Sequence, residues 1–129
     1  MDDLVQWLRA QLDADERIAH RAGDSFRQIG ATGVIVATEG DRAEECASAN
    51  WAGIAEHIVA HDPARVLREI DAKRQVIDLH APGEMEYVDG DVCMACDVRG
   101  GEPFYPCKTL RLLALPYADR PGYRDEWRP

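Results

Sequence analysis

The sequence lacks any run of about 18 apolar residues, the length that a membrane-spanning helix needs, so we expect no membrane span. The first residues, MDDLVQWLRAQ, are acidic and then amphipathic, so they do not resemble a secretory signal. We find neither internal repeats nor low-complexity segments. With 46% hydrophobic and 30% charged residues, the composition is typical of a globular protein, and we expect a single cytoplasmic domain over residues 1–129.

Basic residues are scarce relative to acidic ones. Lys and Arg together number 15 against 24 Asp and Glu, which gives a net charge of −9. Affinity for a phosphate backbone comes from Lys and Arg that displace counterions, so nucleic acid is an unfavourable partner for this chain. The cations of segment 65–74 alternate with acids, a pattern typical of a solvated helix face with salt bridges. The acidic balance favours a basic protein partner.

Familiar catalytic motifs are also missing. The chain has no G-x-S-x-G and no phosphate-binding glycine loop. In HIVAH, His57 and His61 lie one helical turn apart, as in metalloproteases, but no Glu follows the first His to act as a base. A nucleobase deaminase needs a ligand-x-Glu motif and a proline before the cysteine pair, which His80-Ala-Pro-Gly-Glu84 and the residue before Cys93 do not supply. None of these catalytic motifs is complete, so the sequence favours a role without catalysis, with a zinc-dependent hydrolase as an alternative.

Cysteine is rare, and three of the four cysteines lie in one turn-rich stretch that runs from His80 to Cys107. Cys93 and Cys96 form a C-x-x-C pair, Cys107 follows after ten intervening residues, and His80 precedes the pair by twelve. In an intracellular chain such cysteines are more often metal-binding or catalytic than disulfide-bonded. Structural zinc sites are typically closed by Cys and His ligands. We predict a zinc site whose ligands are Cys93, Cys96, Cys107 and His80.

The cysteine pattern leaves alternatives open. His57 or His61 could replace His80 as the fourth ligand. A redox C-x-x-C needs a βαβ context, which this turn-rich stretch does not offer. An iron–sulfur cluster with Cys3His ligation and a set of reduced cysteines without a metal are further alternatives. A catalytic zinc would need an open coordination position and a nearby carboxylate, for which Glu84 and Glu86 are the local candidates.

Apolar periodicity predicts a mostly α (α+β) fold, with about four helices and a small β-hairpin that carries the zinc-knuckle-like site. The predicted helices cover 3–22, 41–60, 63–80 and 106–115. The clearest local signal is Asp62-Pro63, an N-cap followed by proline at the first helical position. A metal ion would tie the third helix to the fourth and supply folding free energy directly.

Further predictions concern single segments. The β-branched run 33–39 is expected to be a strand that pairs with the hairpin around Cys93. Cys46 is predicted to be a small buried side chain on the second helix. The last helix is nearly all apolar and is expected to be buried. The tail after it is expected to be clamped to the body by three aromatic side chains, those of Tyr117, Tyr123 and Trp127.

Three long stretches of the chain resemble one known family: MDDLVQWLRAQLDADE, HDPARVLREIDAKRQVIDLH and CKTLRLLALPYADRPGYRDEWRP. They are similar to an uncharacterised family of short proteins from actinobacteria and their phages or integrated elements, the domain of unknown function 6221. The resemblance covers almost the whole chain except its middle, about residues 24–50. It implies a single domain of mobile-element origin and carries no assigned activity.

Three functions are compatible with a metal site in this sequence. The first, which we favour, is a zinc-stabilised protein-interaction or regulatory module with no chemistry of its own. The second is a zinc-dependent hydrolase, and the third is a nucleic-acid-binding zinc module that uses Arg99, Lys108 and Arg111. Four protein ligands favour the first or the third function, whereas three ligands and a water favour the second.

Overall fold

The structure is a computed structural model that describes residues 3–84, 86, 90–96 and 105–129. Over these residues the fold is mixed α+β, with a small antiparallel sheet and three main helices, and not the mostly α fold of about four helices that we predicted. Three helices have nine or more residues and a fourth segment has seven: α1 (Asp3–Arg21), α2 (Ala52–Ala60), α3 (Pro63–Leu79) and α4 (Lys108–Ala114). The strands are β1 (Ser25–Gln28), β2 (Val34–Glu39), β3 (Arg42–Ser48), β4 (Pro82–Gly83) and β5 (Val92–Cys93). Short 3-10 segments follow at Leu115–Tyr117 and Asp125–Trp127.

Contacts divide the chain into two compact units. The first, which we call the cysteine unit, consists of Met1–Leu12 and Ala72–Pro129. The second, the sheet unit, consists of Asp13–Asp71. Helices α1 and α3 each contribute residues to both units.

Helix α1 confirms the predicted amphipathic helix at the start of the chain. Leu4, Leu8 and Leu12 recur every four residues and are completely buried. Side chains at this spacing lie on one face of a helix, so burying them drives the helix against the core. Ile18, near the end of the same helix, is largely exposed.

Helix α3 begins as the sequence predicts. Asp62 Oδ1 accepts a hydrogen bond from the Arg65 amide at 3.0 Å, which is the geometry of an N-cap, and Pro63 is the first helical residue. The other carboxylate oxygen, Oδ2, accepts from the Phe26 amide of β1 at 3.1 Å. One side chain therefore caps the helix and also holds the first strand of the sheet unit.

The predicted helix over residues 41–60 is wrong in its first half. Residues 42–48 form strand β3, and helix α2 begins only at Ala52. Gly40, with φ of +57°, stands in the turn between β2 and β3, a conformation that glycine adopts without strain. Alanine and glutamate in this segment favour a helix by propensity, but pairing with β2 overrides that preference.

Strand β2 exists as predicted, but its expected pairing with the hairpin around Cys93 is wrong. It is the central strand of the antiparallel order β1-β2-β3, which places it in the sheet unit. Cys46 is the extra residue at a bulge, because Ile35 pairs with Ala47 whereas Val36 pairs with Glu45. Cys46 is exposed, contrary to our prediction, since both faces of β3 are open to solvent.

The tail of the cysteine unit is clamped by aromatic side chains, as predicted. Trp7 of α1 meets Tyr123 and Trp127 with ring centroids 5.6 and 5.5 Å apart. Trp7 Nε1 donates a hydrogen bond to the Pro121 carbonyl at 2.9 Å. Tyr117 and Trp127 are buried, so the tail belongs to the core of this unit.

Helix α4 is only partly buried, although its sequence is nearly all apolar. Leu110 and Ala114 are completely buried, whereas Leu112 and Leu115 face solvent. Residues four apart share a helix face, so the buried pair forms one stripe and the exposed pair lies outside it. The expectation that the whole run is buried is therefore wrong.

Among the described residues, no helix combines the length and the apolar content needed to cross a bilayer.

Candidate metal centre

A short antiparallel pairing brings the end of α3 beside the cysteine pair. Helix α3 ends at Leu79, and the His80 amide still donates to the Val76 carbonyl at 3.1 Å, which fixes His80 at the helix end. Two residues later Pro82 of β4 pairs with Cys93 of β5. The predicted small hairpin is thus present in its paired residues. Its pairing places His80 and Cys93 on neighbouring chain segments.

The two cysteines of the C-x-x-C pair flank a turn. The backbone amides of Ala95 and Cys96 donate hydrogen bonds to the sulfur of Cys93, an arrangement that favours its thiolate. A Cβ at Gly83 would overlap with the Met94 side chain, so glycine at this position lets that side chain lie against β4. These amides and Gly83 were not among the predicted site residues. The signal for Gly83 in the sequence was its residue type, because a glycine in a strand often marks a place where another part of the chain approaches the backbone closely.

Cys107 joins the cluster from the start of α4. The Tyr105 amide donates to the Asp91 carbonyl at 3.1 Å, which ties the segment before α4 to the segment before β5. Cys107 is then the N-cap residue of α4, and its carbonyl accepts from the Arg111 amide at 3.1 Å. Local backbone pairing therefore positions Cys107 near Cys93.

Four side chains converge at this point. The Nδ1 atom of His80 lies 3.2 Å from Cys93 Sγ, 3.6 Å from Cys96 Sγ and 3.5 Å from Cys107 Sγ. No two of the four ligand atoms are more than 4.8 Å apart. Cys93 and Cys107 are buried, His80 and Cys96 are half-buried, and none of the cysteines is in a disulfide. The group could hold a metal ion.

The distances fit a tetrahedral site. Zinc bonds of about 2.3 Å to sulfur and about 2.0 Å to nitrogen place a nitrogen and a sulfur ligand about 3.5 Å apart in a tetrahedron. The three Nδ1–Sγ distances, 3.2 to 3.6 Å, bracket that value. Together with the limit of 4.8 Å on every pair, these distances allow the four atoms to converge on one metal ion.

Hydrogen bonding by His80 does not account for all three of its contacts with sulfur. One imidazole nitrogen carries either a single proton or a single lone pair, so His80 Nδ1 forms one strong hydrogen bond at most. Three sulfur atoms nevertheless lie within 3.6 Å of it. A cation among the four atoms would interact favourably with all of them at once.

The three thiols differ in pKa because they share one buried space. Burial raises the pKa of Cys93, but hydrogen bonds from His80 and from backbone amides outweigh it and lower the pKa to about 7. Burial and the hydrogen bonds of the protonated Cys96 thiol to Cys93 and Cys107 raise its pKa to about 12. Burial also raises the pKa of Cys107. Without a metal, the negative charge of one thiolate therefore opposes ionisation of the other two thiols. A coordinated metal ion instead deprotonates its thiol ligands outright.

The other candidate ligands lie elsewhere. His57 and His61 stack on each other on the α2 side of the sheet unit, with ring centroids 4.4 Å apart, and His61 Nδ1 is 2.8 Å from the His57 carbonyl. Neither belongs to the converging group, in which His80 is the histidine. Glu84 and Glu86 are exposed and also lie outside the group.

The cations proposed for nucleic-acid contact do not form a described cluster. Arg99 lies outside the residues that the structure describes. Lys108 is exposed on the first turn of α4, and half-buried Arg111 donates from Nη1 to the Arg128 carbonyl at 3.3 Å.

Comparison with known proteins identifies a family but no individual protein. No curated protein matches the chain, and no solved structure matches it. The model of a family of unknown function, DUF6221, matches residues 1–129, in agreement with the resemblance of the three sequence stretches. The chain therefore belongs to the DUF6221 family of unknown function.

Proposed function

We propose that this protein binds one structural zinc ion through His80, Cys93, Cys96 and Cys107, and that it acts as a protein-interaction or regulatory module. The observation that carries the proposal is the convergence of one imidazole nitrogen and three sulfurs within 4.8 Å of one another. Donor atoms this close, from three separate chain segments, are the ligand set that zinc takes in closed structural sites.

The donor atoms favour zinc over other ions. Three sulfurs and one nitrogen are soft ligands, which suit zinc or iron–sulfur clusters and do not suit magnesium or calcium. Ligand atoms around one tetrahedral ion lie closer together than those around a multinuclear cluster. The short Nδ1–Sγ distances of 3.2 to 3.6 Å support a single ion.

A structural role is better supported than a catalytic one. A catalytic zinc keeps one position open for water, whereas the four protein ligands here complete a tetrahedron. The local carboxylates, Glu84 and Glu86, are exposed and lie outside the converging group. A hydrolase is therefore the weaker proposal for this site.

A bound ion would link the end of α3, the end of β5, the turn after it and the start of α4. Structural zinc contributes on the order of 10 kcal/mol to the folding of small zinc domains at neutral pH. The total stability of a typical domain is also only about 5 to 15 kcal/mol. The metal is therefore expected to decide whether the cysteine unit is folded.

We propose a role in protein binding because a closed site with four protein ligands would stabilise the fold and leave no coordination position for a substrate. A cytoplasmic location is part of the proposal, and it is supported by four free cysteines, which are typical of a reducing compartment. An origin in an actinobacterial phage or integrated element is also part of it, and only the sequence resemblance supports that origin. The net charge of −9 opposes nucleic acid as the partner.

The test is thermal unfolding of three proteins with and without a zinc chelator: the wild type, Cys96→Ser and Cys46→Ser. Cys46 is the matched control, because it is an exposed cysteine of the sheet unit outside the cluster. We expect the chelator to lower the Tm of the wild type and of Cys46→Ser by 10 °C or more, as a loss of several kcal/mol requires (roughly 3 °C per kcal/mol for a chain of this size). Cys96→Ser should resemble the chelated wild type.

An unchanged Tm for the wild type after the chelator has been added would contradict a structural metal. An equal loss of Tm in both cysteine variants would also contradict it, because it would show that serine is harmful at either position regardless of metal.

A further inference from the structure

An apolar groove runs between α3 and α4 on the cysteine unit. Its volume is about 390 Å³, and its lining residues are Lys73, Val76, Thr109, Leu112, Leu113 and Pro116. We propose that this groove binds an amphipathic helix of a protein partner, with acidic residues flanking the apolar face of that helix. The proposal rests on the proposed function, because the metal ligands stand at the ends of both helices that form the groove.

On α4 the groove follows helical periodicity. Thr109 and Leu113 are four residues apart and share one face, which lines the groove. Leu112 and Leu115 are three residues apart on the neighbouring stripe, and Leu112 is 49% exposed. The partly buried and the exposed apolar side chains thus form one continuous strip along the helix.

Helix α3 supplies the opposite wall in the same way. Lys73 and Val76 are three residues apart and both line the groove. Leu79 continues this spacing by another three residues and is 72% exposed. Apolar side chains on each of two neighbouring helices form the kind of groove that binds an amphipathic helix. The bound helix then inserts apolar residues at its positions i, i+3, i+4 and i+7.

The charge at the groove selects the partner. Lys73 Nζ donates to the Tyr117 hydroxyl at 2.9 Å and lies 5.1 Å from the centroid of that ring, so its charge is held in place. Lys108 is exposed one turn before Leu112. No carboxylate is among the lining residues. These two local cations complement an acidic helix. The proposed partner therefore differs from the basic one that the net charge of −9 favours, because the charge beside the groove is positive although the whole chain is acidic.

The groove is coupled to the metal site by the chain itself. His80 directly follows Leu79 of α3, and Cys107 directly precedes Lys108 of α4. A metal ion bound by both ligands would fix the two helix ends and with them the two walls. Removing the metal is therefore expected to remove the groove as a binding surface.

The probe is a fluorescein-labelled synthetic helix of about 14 residues, with Leu at i, i+3, i+4 and i+7 and Glu at its flanks. Fluorescence anisotropy is measured with zinc-loaded full-length protein, beside a second peptide that has Lys in place of Glu. We expect the acidic peptide to bind with a Kd of roughly 1 to 100 μM and the basic peptide to bind about tenfold more weakly or not at all.

Two pairs of variants locate the binding site. Leu112→Ala should weaken binding roughly tenfold, because a contact of that side chain with the peptide is lost. Ile18→Ala is its control, a similarly exposed (57%) aliphatic residue on a helix outside the groove. Lys108→Glu should weaken binding of the acidic peptide several-fold, whereas Arg68→Glu, an exposed cation on α3 away from the groove, should not.

Three results would overturn the groove proposal: no binding of the acidic peptide at about 1 mM, equal binding of the basic peptide, or equal effects of Leu112→Ala and Ile18→Ala. A zinc-loaded dimer in sedimentation that Leu112→Ala dissociates would assign the groove to a second copy and would also overturn it. Zinc binding without peptide binding would refute the groove alone. Peptide binding by a protein that takes up no zinc would instead refute the proposed function.

Discussion

The Nδ1 atom of His80 lies 3.2 Å from the Sγ atom of Cys93, although twelve residues separate the two in the sequence. The backbone explains this approach, because α3 ends immediately before His80 and the pairing of Pro82 with Cys93 brings the two chain segments side by side. A histidine at a helix end and a cysteine at a strand end thus become neighbours through the pairing of β4 with β5. Their contact ties the candidate metal centre to the two elements that deliver its ligands.

The fourth ligand can be tested by removing each histidine in turn. We predict that His80→Ala lowers zinc affinity by roughly 100-fold or more, because three remaining ligands leave one coordination position to water. His57→Ala and His61→Ala should leave the affinity unchanged, since neither side chain belongs to the converging group. Competition with a chromogenic zinc chelator measures all three. Equal affinities in the wild type and His80→Ala would remove His80 from the site.

Asp62 is predicted to stabilise two elements through its two oxygens. Asp62→Ala loses both the cap on α3 and the hydrogen bond to the Phe26 amide, so we expect a loss of about 2 kcal/mol in the free energy of unfolding. Asn retains one acceptor oxygen and should lose about half as much. Urea denaturation measures both variants. If Asp62→Asn is as unstable as Asp62→Ala, the cap does not contribute separately.

Gly122 is predicted to be required both for its backbone angle and for its contact with Trp7. Its φ is +90°, and a Cβ at this position would lie 2.7 Å from Trp7 Nε1. Gly90 is a matched control, with φ of +88° and no atom within 4 Å of such a Cβ. We expect Gly90→Ala to cost about 1 to 2 kcal/mol from the left-handed backbone alone, and Gly122→Ala to cost at least about 1 kcal/mol more. Equal losses in chemical denaturation would show that Trp7 does not confine this turn.

Trp7 is predicted to stabilise the tail through its indole nitrogen as well as its ring. Trp7→Phe keeps an aromatic side chain but leaves the Pro121 carbonyl without its donor, at an expected cost of roughly 1 to 2 kcal/mol. Trp51→Phe is the control, because Trp51 is 64% exposed. Thermal unfolding followed by circular dichroism compares the two. A loss as large in Trp51→Phe would mean that the tail clamp is not specific.

The candidate ligands could be predicted from the sequence because their placement depends on local signals. Asp62-Pro63 begins α3, and a helix of that periodicity ends near His80. A C-x-x-C pair needs only a tight turn to present both sulfurs. Each ligand is thus set by a start, an end or a turn that neighbouring residues encode, and the pairing of β4 with β5 does the rest.

The sheet unit could not be predicted in the same way, because its strands depend on pairing partners. The residues of β3 favour a helix by propensity, and they form a strand only because β2 offers hydrogen bonds along one edge. The wrong prediction that Cys46 is buried has the same cause, since a strand with both faces open to solvent buries no side chain. Burial along α4 was overestimated for a different reason. Leu112 and Leu115 are as apolar as Leu110, and only the tertiary packing, which buries Leu110 and leaves the other two exposed, distinguishes them.

The most direct test of the metal site is the metal content of freshly purified protein, measured by mass spectrometry of metals beside a titration of reactive thiols. We predict about one zinc per chain, with Cys46 as the only reactive thiol, because it alone of the four cysteines lies outside the cluster. A chelator should then release the zinc and expose three more thiols. Protein that contains no metal and shows four reactive thiols from the start would contradict the site.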